Sequence, residues 1–102
     1  MNKFQVILTD HVVSDLKSVP KNLKDKIHQD LKTLEFNPFP SGNFIKRLKG
    51  FRPPVFRLRT DDFRILYHIG GETVTILRLI DRKELERITK RLGKLGDTSL
   101  IK

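Results

Sequence analysis

Cysteine and tryptophan are both absent from this chain of 102 residues, and tyrosine occurs once, at Tyr67. Without cysteine there is no disulfide, no thiolate metal ligand and no cysteine nucleophile, which suits a cytoplasmic protein. Histidine is sparse: His11, His28 and His68 are scattered, and no His/Asp/Glu spacing resembles a metal-ligand set. Ser14, Ser18, Ser41 and Ser99 lie in no nucleophile-turn context. Gly70-Gly71 reads as a hairpin turn rather than a phosphate-cradling loop. No apolar run approaches the ~18–20 residues that span a bilayer. Lys3, Asp10, His11 and Asp15 interrupt the first twenty residues, so they do not read as a signal peptide. Repeats, low-complexity tracts and linkers are missing too. Residues 1–102 are therefore expected to form a single domain without metal, small-molecule cofactor or membrane segment.

What the chain has in excess is positive charge, a formal +9. Residues 1–43 hold six Lys and five acids, a net of +1. Residues 44–94 hold fourteen Lys/Arg against six acids, a net of +8. A charge segregated in this way predicts a polyanionic partner: RNA, DNA or an acidic protein.

The order of elements follows from pattern. Residues 3–9 are rich in strand formers. Thr9 or Asp10 can cap a helix running to about Val19. Pro20 suits the first turn of a second helix, whose stripe is Leu23, Ile27, Leu31 and Leu34. Asn37-Pro38 ends it. Phe44–Lys49 reads as a strand with Phe44 and Leu48 as apolar anchors. A hairpin follows over residues 56–69, then a fourth meander strand over Thr73–Ile80. Asp81 and Glu84 form a capping pair for a last helix, striped by Leu85, Ile88 and Leu92 and ended by Gly93. The predicted fold class is α+β: an N-terminal strand and an α-hairpin packed on an antiparallel β-meander, with a C-terminal helix.

The hairpin is the informative stretch. With an even-length loop, Phe56, Leu58, Phe63, Ile65, Tyr67 and Ile69 share one face, and Arg57, Arg59, Arg64 and His68 share the other. The second face is expected to lie outside a core, with Arg64 on a surface strand, and to form a site for phosphate. Tyr67 has the parity of the core. The placement of Arg78 depends on the turn at Gly70-Gly71 and stays open. Arginines with a nearby histidine or tyrosine can cleave RNA without a metal. The RNA's own 2′-OH attacks, cations stabilise the charge that develops, and a side chain moves protons.

Three segments carry a resemblance: Arg47-Leu48-Lys49-Gly50, residues 56–67 (FRLRTDDFRILY) and residues 76–85 (ILRLIDRKEL). Together they resemble the RelE/ParE toxin superfamily of type II toxin–antitoxin systems, over residues 3–92, with the hairpin as the specific part. The resemblance implies a RelE-like fold and a metal-independent endoribonuclease, an mRNA interferase that cuts ribosome-bound message and inhibits translation. Its implied partners are a cognate antitoxin, mRNA and the ribosome.

It implies catalytic roles for Arg57, Arg64 and Lys83, the last near the leaving oxygen. His68 or Tyr67 could serve where the family's aromatic is missing, because Glu86 stands at the position of the usual terminal Tyr and Asp81 replaces the usual His or Gly. Lys46, Arg47, Lys49, Arg59 and Arg82 are candidate RNA-binding residues. Cations at 82 and 83 open a helix, where the macrodipole disfavours them, so function or antitoxin binding explains them better than stability. Two rival readings share the fold: a ParE-like poison of DNA gyrase, and an inactive antitoxin-binding member.

Overall fold

The apolar stripes and alternating strands assemble, in a computed structural model that describes residues 3–95, around one five-stranded sheet. The elements are β1 (Gln5–Leu8), α1 (Asp10–Lys17), α2 (Lys21–Thr33), β2 (Ile45–Leu48), β3 (Val55–Thr60), β4 (Phe63–Gly70), β5 (Thr73–Asp81) and α3 (Arg82–Leu95). The spatial order is β1-β5-β4-β3-β2. Strands β2 to β5 form the expected meander. β1 joins it in parallel beside β5, from Gln5 opposite Thr73 to Leu8 opposite Ile76. β5 thus has neighbours on both sides, and its residues are apolar on both faces because Val74, Ile76 and Leu79 enter one core cluster and Leu77 and Ile80 another.

One face of the sheet is covered by α1 and α2. Val12, Val19, Ile27, Leu31 and Leu34 pack there against Leu58, Ile65, Tyr67, Val74, Ile76 and Leu79. Each fully buried aliphatic side chain of this kind stabilises the fold by roughly 1.5–3 kcal/mol. The helix stripe at four- and three-residue spacing needs such a surface, because a helix of this length is marginal alone.

The opposite face is not free of a core. Phe51, Val55, Leu66, Ile80 and Leu85 form a second buried cluster, joined by Leu48, Leu77 and Ile88. The expectation of a wholly exposed basic face is corrected here. Leu66 alternates onto that face between Arg64 and His68, and Leu85 and Ile88 of α3 settle on it, while the expected third stripe residue, Leu92, has a side chain outside the described ones.

An irregularity between β4 and β5 shapes the same region. Leu66 pairs with Arg78 but Tyr67 pairs with Ile76, so Leu77 is an extra residue on β5. A bulge of this kind re-aims side chains. Leu77 joins the second cluster, while Arg78 binds Asp15 of α1, its Nε donating to Oδ2 at 2.9 Å. The backbone N–H of Leu79 donates to that oxygen at the same distance, 2.9 Å. The bond to Asp15 raises the guanidinium pKa further. Arg78 is a structural tie between α1 and β5.

The caps divide. Asp81 Oδ1 accepts the Glu84 N–H at 2.7 Å, as the capping pair predicts. Thr9 stands at the N-cap of α1 without capping it; its hydroxyl donates to the Ile76 carbonyl at 2.8 Å instead. Gly93 does not end α3, which runs on to Leu95.

Candidate nucleic-acid interface

Two residues, Asp61 and Asp62, connect β3 to β4, with Thr60 opposite Phe63. Asp61 takes a positive φ of 56°, a left-handed conformation that Asp tolerates better than most side chains. This even-length loop pairs Arg59 with Arg64 and Arg57 with Leu66. Arg57, Arg59 and Arg64 therefore leave the sheet on the face opposite α1 and α2. The next pairing sets Lys46 of β2 beside Arg57, and Arg82, at the start of α3, enters from above.

These cations feel one another. Burial lowers the Arg64 pKa, and the charges of Arg57, Arg59 and Arg82 lower it further, against Asp62, which raises it. Arg57 is lowered by burial and then by Arg59. Among the described residues no carboxylate lies within salt-bridge distance of Arg57, Arg59 or Arg64. Like charges gathered with no ion pair on these three, and Asp62 alone acting against them on Arg64, oppose folding, and an arrangement of this kind can take an anion.

Backbone carbonyls orient the guanidinium groups. Arg64 Nη1 donates to the carbonyls of Asp61 at 3.0 Å and Phe63 at 2.9 Å. Arg64 is 9% exposed, which corrects the reading of a surface position: its side chain lies across the hairpin and beside the second cluster. Arg57 Nη1 donates to the carbonyls of Asn43 at 3.2 Å and Phe44 at 3.3 Å.

A family model for the ParE toxin of type II toxin–antitoxin systems, parDE, matches residues 6–86. The chain belongs to this toxin family. Its relatives include a Methanocaldococcus jannaschii protein named toxin RelE1, 38% identical over 84 residues, covering 80% of this chain and 92% of the relative. The archaeal RelE–RelB complex from Pyrococcus horikoshii matches with a TM-score of 0.67 and 28% identity, over 78% of this chain and 94% of that one. The toxin–antitoxin complex RelBE2 of Mycobacterium tuberculosis gives a TM-score of 0.65 and 25% identity, over 78% and 99%. The RelE/ParE fold is shared by all of them.

Within this toxin fold the other candidate residues divide. Arg82 and Lys83 line one surface pocket with Asp62 and Asp81, so Lys83 lies at the rim of the arginine cluster. Arg47 pairs with Phe56, which belongs with the first core; by strand alternation Arg47 leaves on the face opposite Lys46 and does not join the cluster. Lys49 lies beyond the end of β2. His68 is four residues along β4 from Arg64, about 13 Å at strand spacing, with the buried Leu66 between them. Its Nδ1 lies 2.7 Å from the Pro54 carbonyl; since a carbonyl only accepts, Nδ1 carries the proton and Nε2 faces away from that bond.

Tyr67 is removed from the chemistry altogether. It is completely buried, its hydroxyl donates to the Pro38 carbonyl at 2.7 Å, and burial raises its pKa. Tyr67→Phe keeps the shape and loses one buried hydrogen bond, so it should cost about 1 kcal/mol in a urea melt. The toxin's activity should be unchanged; a large loss in folded Tyr67→Phe protein would return the phenol to the mechanism.

Phe44 was the residue the sequence misplaced. Far from anchoring β2 in a core, it is 67% exposed. The turn at Gly42, with a positive φ of 52°, was the local sign that the strand proper begins one residue later.

Proposed function

We propose that this toxin is a metal-independent endoribonuclease that cleaves mRNA on the ribosome and is silenced by a cognate antitoxin. The observation that carries the proposal is the convergence of Arg57, Arg59, Arg64 and Arg82, with no carboxylate in salt-bridge distance of the first three among the described residues. In the reaction, the 2′-oxygen attacks the adjacent phosphorus and its proton passes to water. The bond from phosphorus to the 5′-oxygen breaks, leaving a cyclic phosphate. Arg57 and Arg64 stabilise the extra negative charge on the phosphate oxygens. Lys83, at the rim, gives a proton to the departing 5′-oxygen and regains one from water. Arg59, Lys46 and Arg82 hold flanking phosphates. His68, on the far side of Leu66, has no assigned step.

An antitoxin wrapping the domain would meet this surface and, at the other edge of the sheet, β1 and α1. Its acidic groups would neutralise the arginines, and its apolar side chains would cover exposed positions such as Ile7, Leu8 and Val13. That two of the matching solved structures are toxin–antitoxin complexes supports this partner.

Induced expression without an antitoxin should stop growth, with message cut inside translated regions. Cleavage of ribosome-bound message should persist after the purified protein is stripped with EDTA and exchanged out of it, and should not change as Mg2+ is varied over the range that keeps ribosomes assembled. Growth arrest with double-strand DNA breaks and intact message would instead identify a gyrase poison. Unimpaired growth from well-expressed protein would identify an inactive, antitoxin-binding member.

A further inference from the structure

We propose that Phe44 is a base-stacking platform, holding an unpaired RNA nucleobase next to the phosphate site of Arg57 and Arg64. The proposal rests on the ribonuclease reading above and names how that site grips its substrate.

Phe44 immediately precedes β2 and is bound into the arginine cluster by its backbone. Its carbonyl accepts the Arg59 N–H at 2.8 Å and Arg57 Nη1 at 3.3 Å. Continuing the register in which Ile45 faces Leu58 sets Phe44 across from Arg59. At this edge of the sheet both residues also border a groove that runs round to Lys26 and Asp30 of α2. Its phenyl ring is 67% exposed and packs into neither core cluster, although two arginines bind its backbone carbonyl. A nucleobase supplies the missing partner, and its phosphate meets the arginines. Aromatic stacking beside a cationic track is the usual means of holding single-stranded nucleic acid.

The remaining aromatic residues are otherwise engaged. Phe51 and Tyr67 are buried, Phe56 stacks on Tyr67 at 5.7 Å, and Phe63 packs against the first core. Phe4 meets Phe39 edge-on at 5.6 Å, and Lys3 lies 5.8 Å from the ring centre of Phe36. Residues 82–102 contain no aromatic side chain, so none of them takes the role.

The test is binding of non-cleavable 2′-O-methyl RNA oligonucleotides to wild-type, Phe44→Ala, Phe44→Trp and Phe36→Ala proteins. Each is measured on intact RNA and on RNA with one abasic site moved along the strand. Phe44→Ala should weaken binding about 5- to 150-fold, the size of one lost base–aromatic stack. Its salt dependence should stay unchanged, since no phosphate contact is lost. Phe44→Trp should bind at least as well as wild type, and Phe36→Ala should match it. One abasic position should weaken wild type and leave Phe44→Ala unaffected. Wild-type affinity in folded Phe44→Ala protein, or equal abasic penalties in both proteins, would overturn the platform. Failure of wild type to bind any RNA would refute the ribonuclease reading, and the platform with it.

Discussion

Arg64→Ala should slow single-turnover cleavage of ribosome-bound message by about 10²–10³, the usual cost of removing one preorganised donor from a charged transition state. A guanidinium can offer two parallel, charge-assisted hydrogen bonds to phosphate oxygens, and lysine cannot reproduce that fork. Arg64→Lys should therefore recover only part of the loss. The same substitution should also destabilise the fold. Arg64 is buried and bonded to the carbonyls of Asp61 and Phe63, so truncation leaves both acceptors without this donor, at a cost of about 1–3 kcal/mol. In a domain of this size each kcal/mol lowers Tm by roughly 4–8 °C. Rates are accordingly compared at a temperature where every variant is folded. Arg59→Ala serves as the contrast: Arg59 is exposed, and its loss should weaken binding and flatten the salt dependence without a large change in the chemical step. Full activity in folded Arg64→Ala protein would remove Arg64 from the mechanism.

The parts legible in the sequence were those with a short period. The alternation through residues 56–69 fixed both the register and the face of the arginines, because a one-residue slip would have buried Arg57 beside Phe63. The stripe of α2 and the Asp81 cap were equally local. What was hidden depends on distant parts of the chain. The parallel pairing of β1 with β5 joins residues nearly seventy positions apart, and no local signal specifies it. The second core is of the same kind. Leu66 reads as one apolar residue on a basic face until Phe51, Val55, Ile80 and Leu85 are brought around it. Once that cluster exists, Arg64 becomes a buried side chain and His68 is cut off from it. The Thr9 hydroxyl likewise reads as a helix cap until the carbonyl of Ile76, sixty-seven residues on, accepts from it.

Leu66→Ala should be among the most damaging substitutions outside the arginine cluster. The side chain is completely buried, and truncating a buried leucine costs about 2–5 kcal/mol, with the residual cavity setting the value. Against a total stability of roughly 5–15 kcal/mol for a domain, that is a large share. The damage should also be uneven. α1 and α2 rest on the first core and do not touch Leu66, whereas α3 is held on the sheet by Leu85 and Ile88 packing into the cluster that Leu66 fills. Loosening α3 displaces Arg82 and Lys83 from the rim of the site while Arg57 and Arg59 stay in place on β3. Cleavage should therefore fall further than RNA affinity, although Leu66 itself meets no substrate. Hydrogen exchange gives the direct readout, because local opening shows as faster exchange in the element concerned. Amides of α3 should lose protection first, at temperatures where those of α2 remain slow. Equal loss of protection in both helices would mean that the two cores act as one unit, and that α3 is not separately anchored through Leu66.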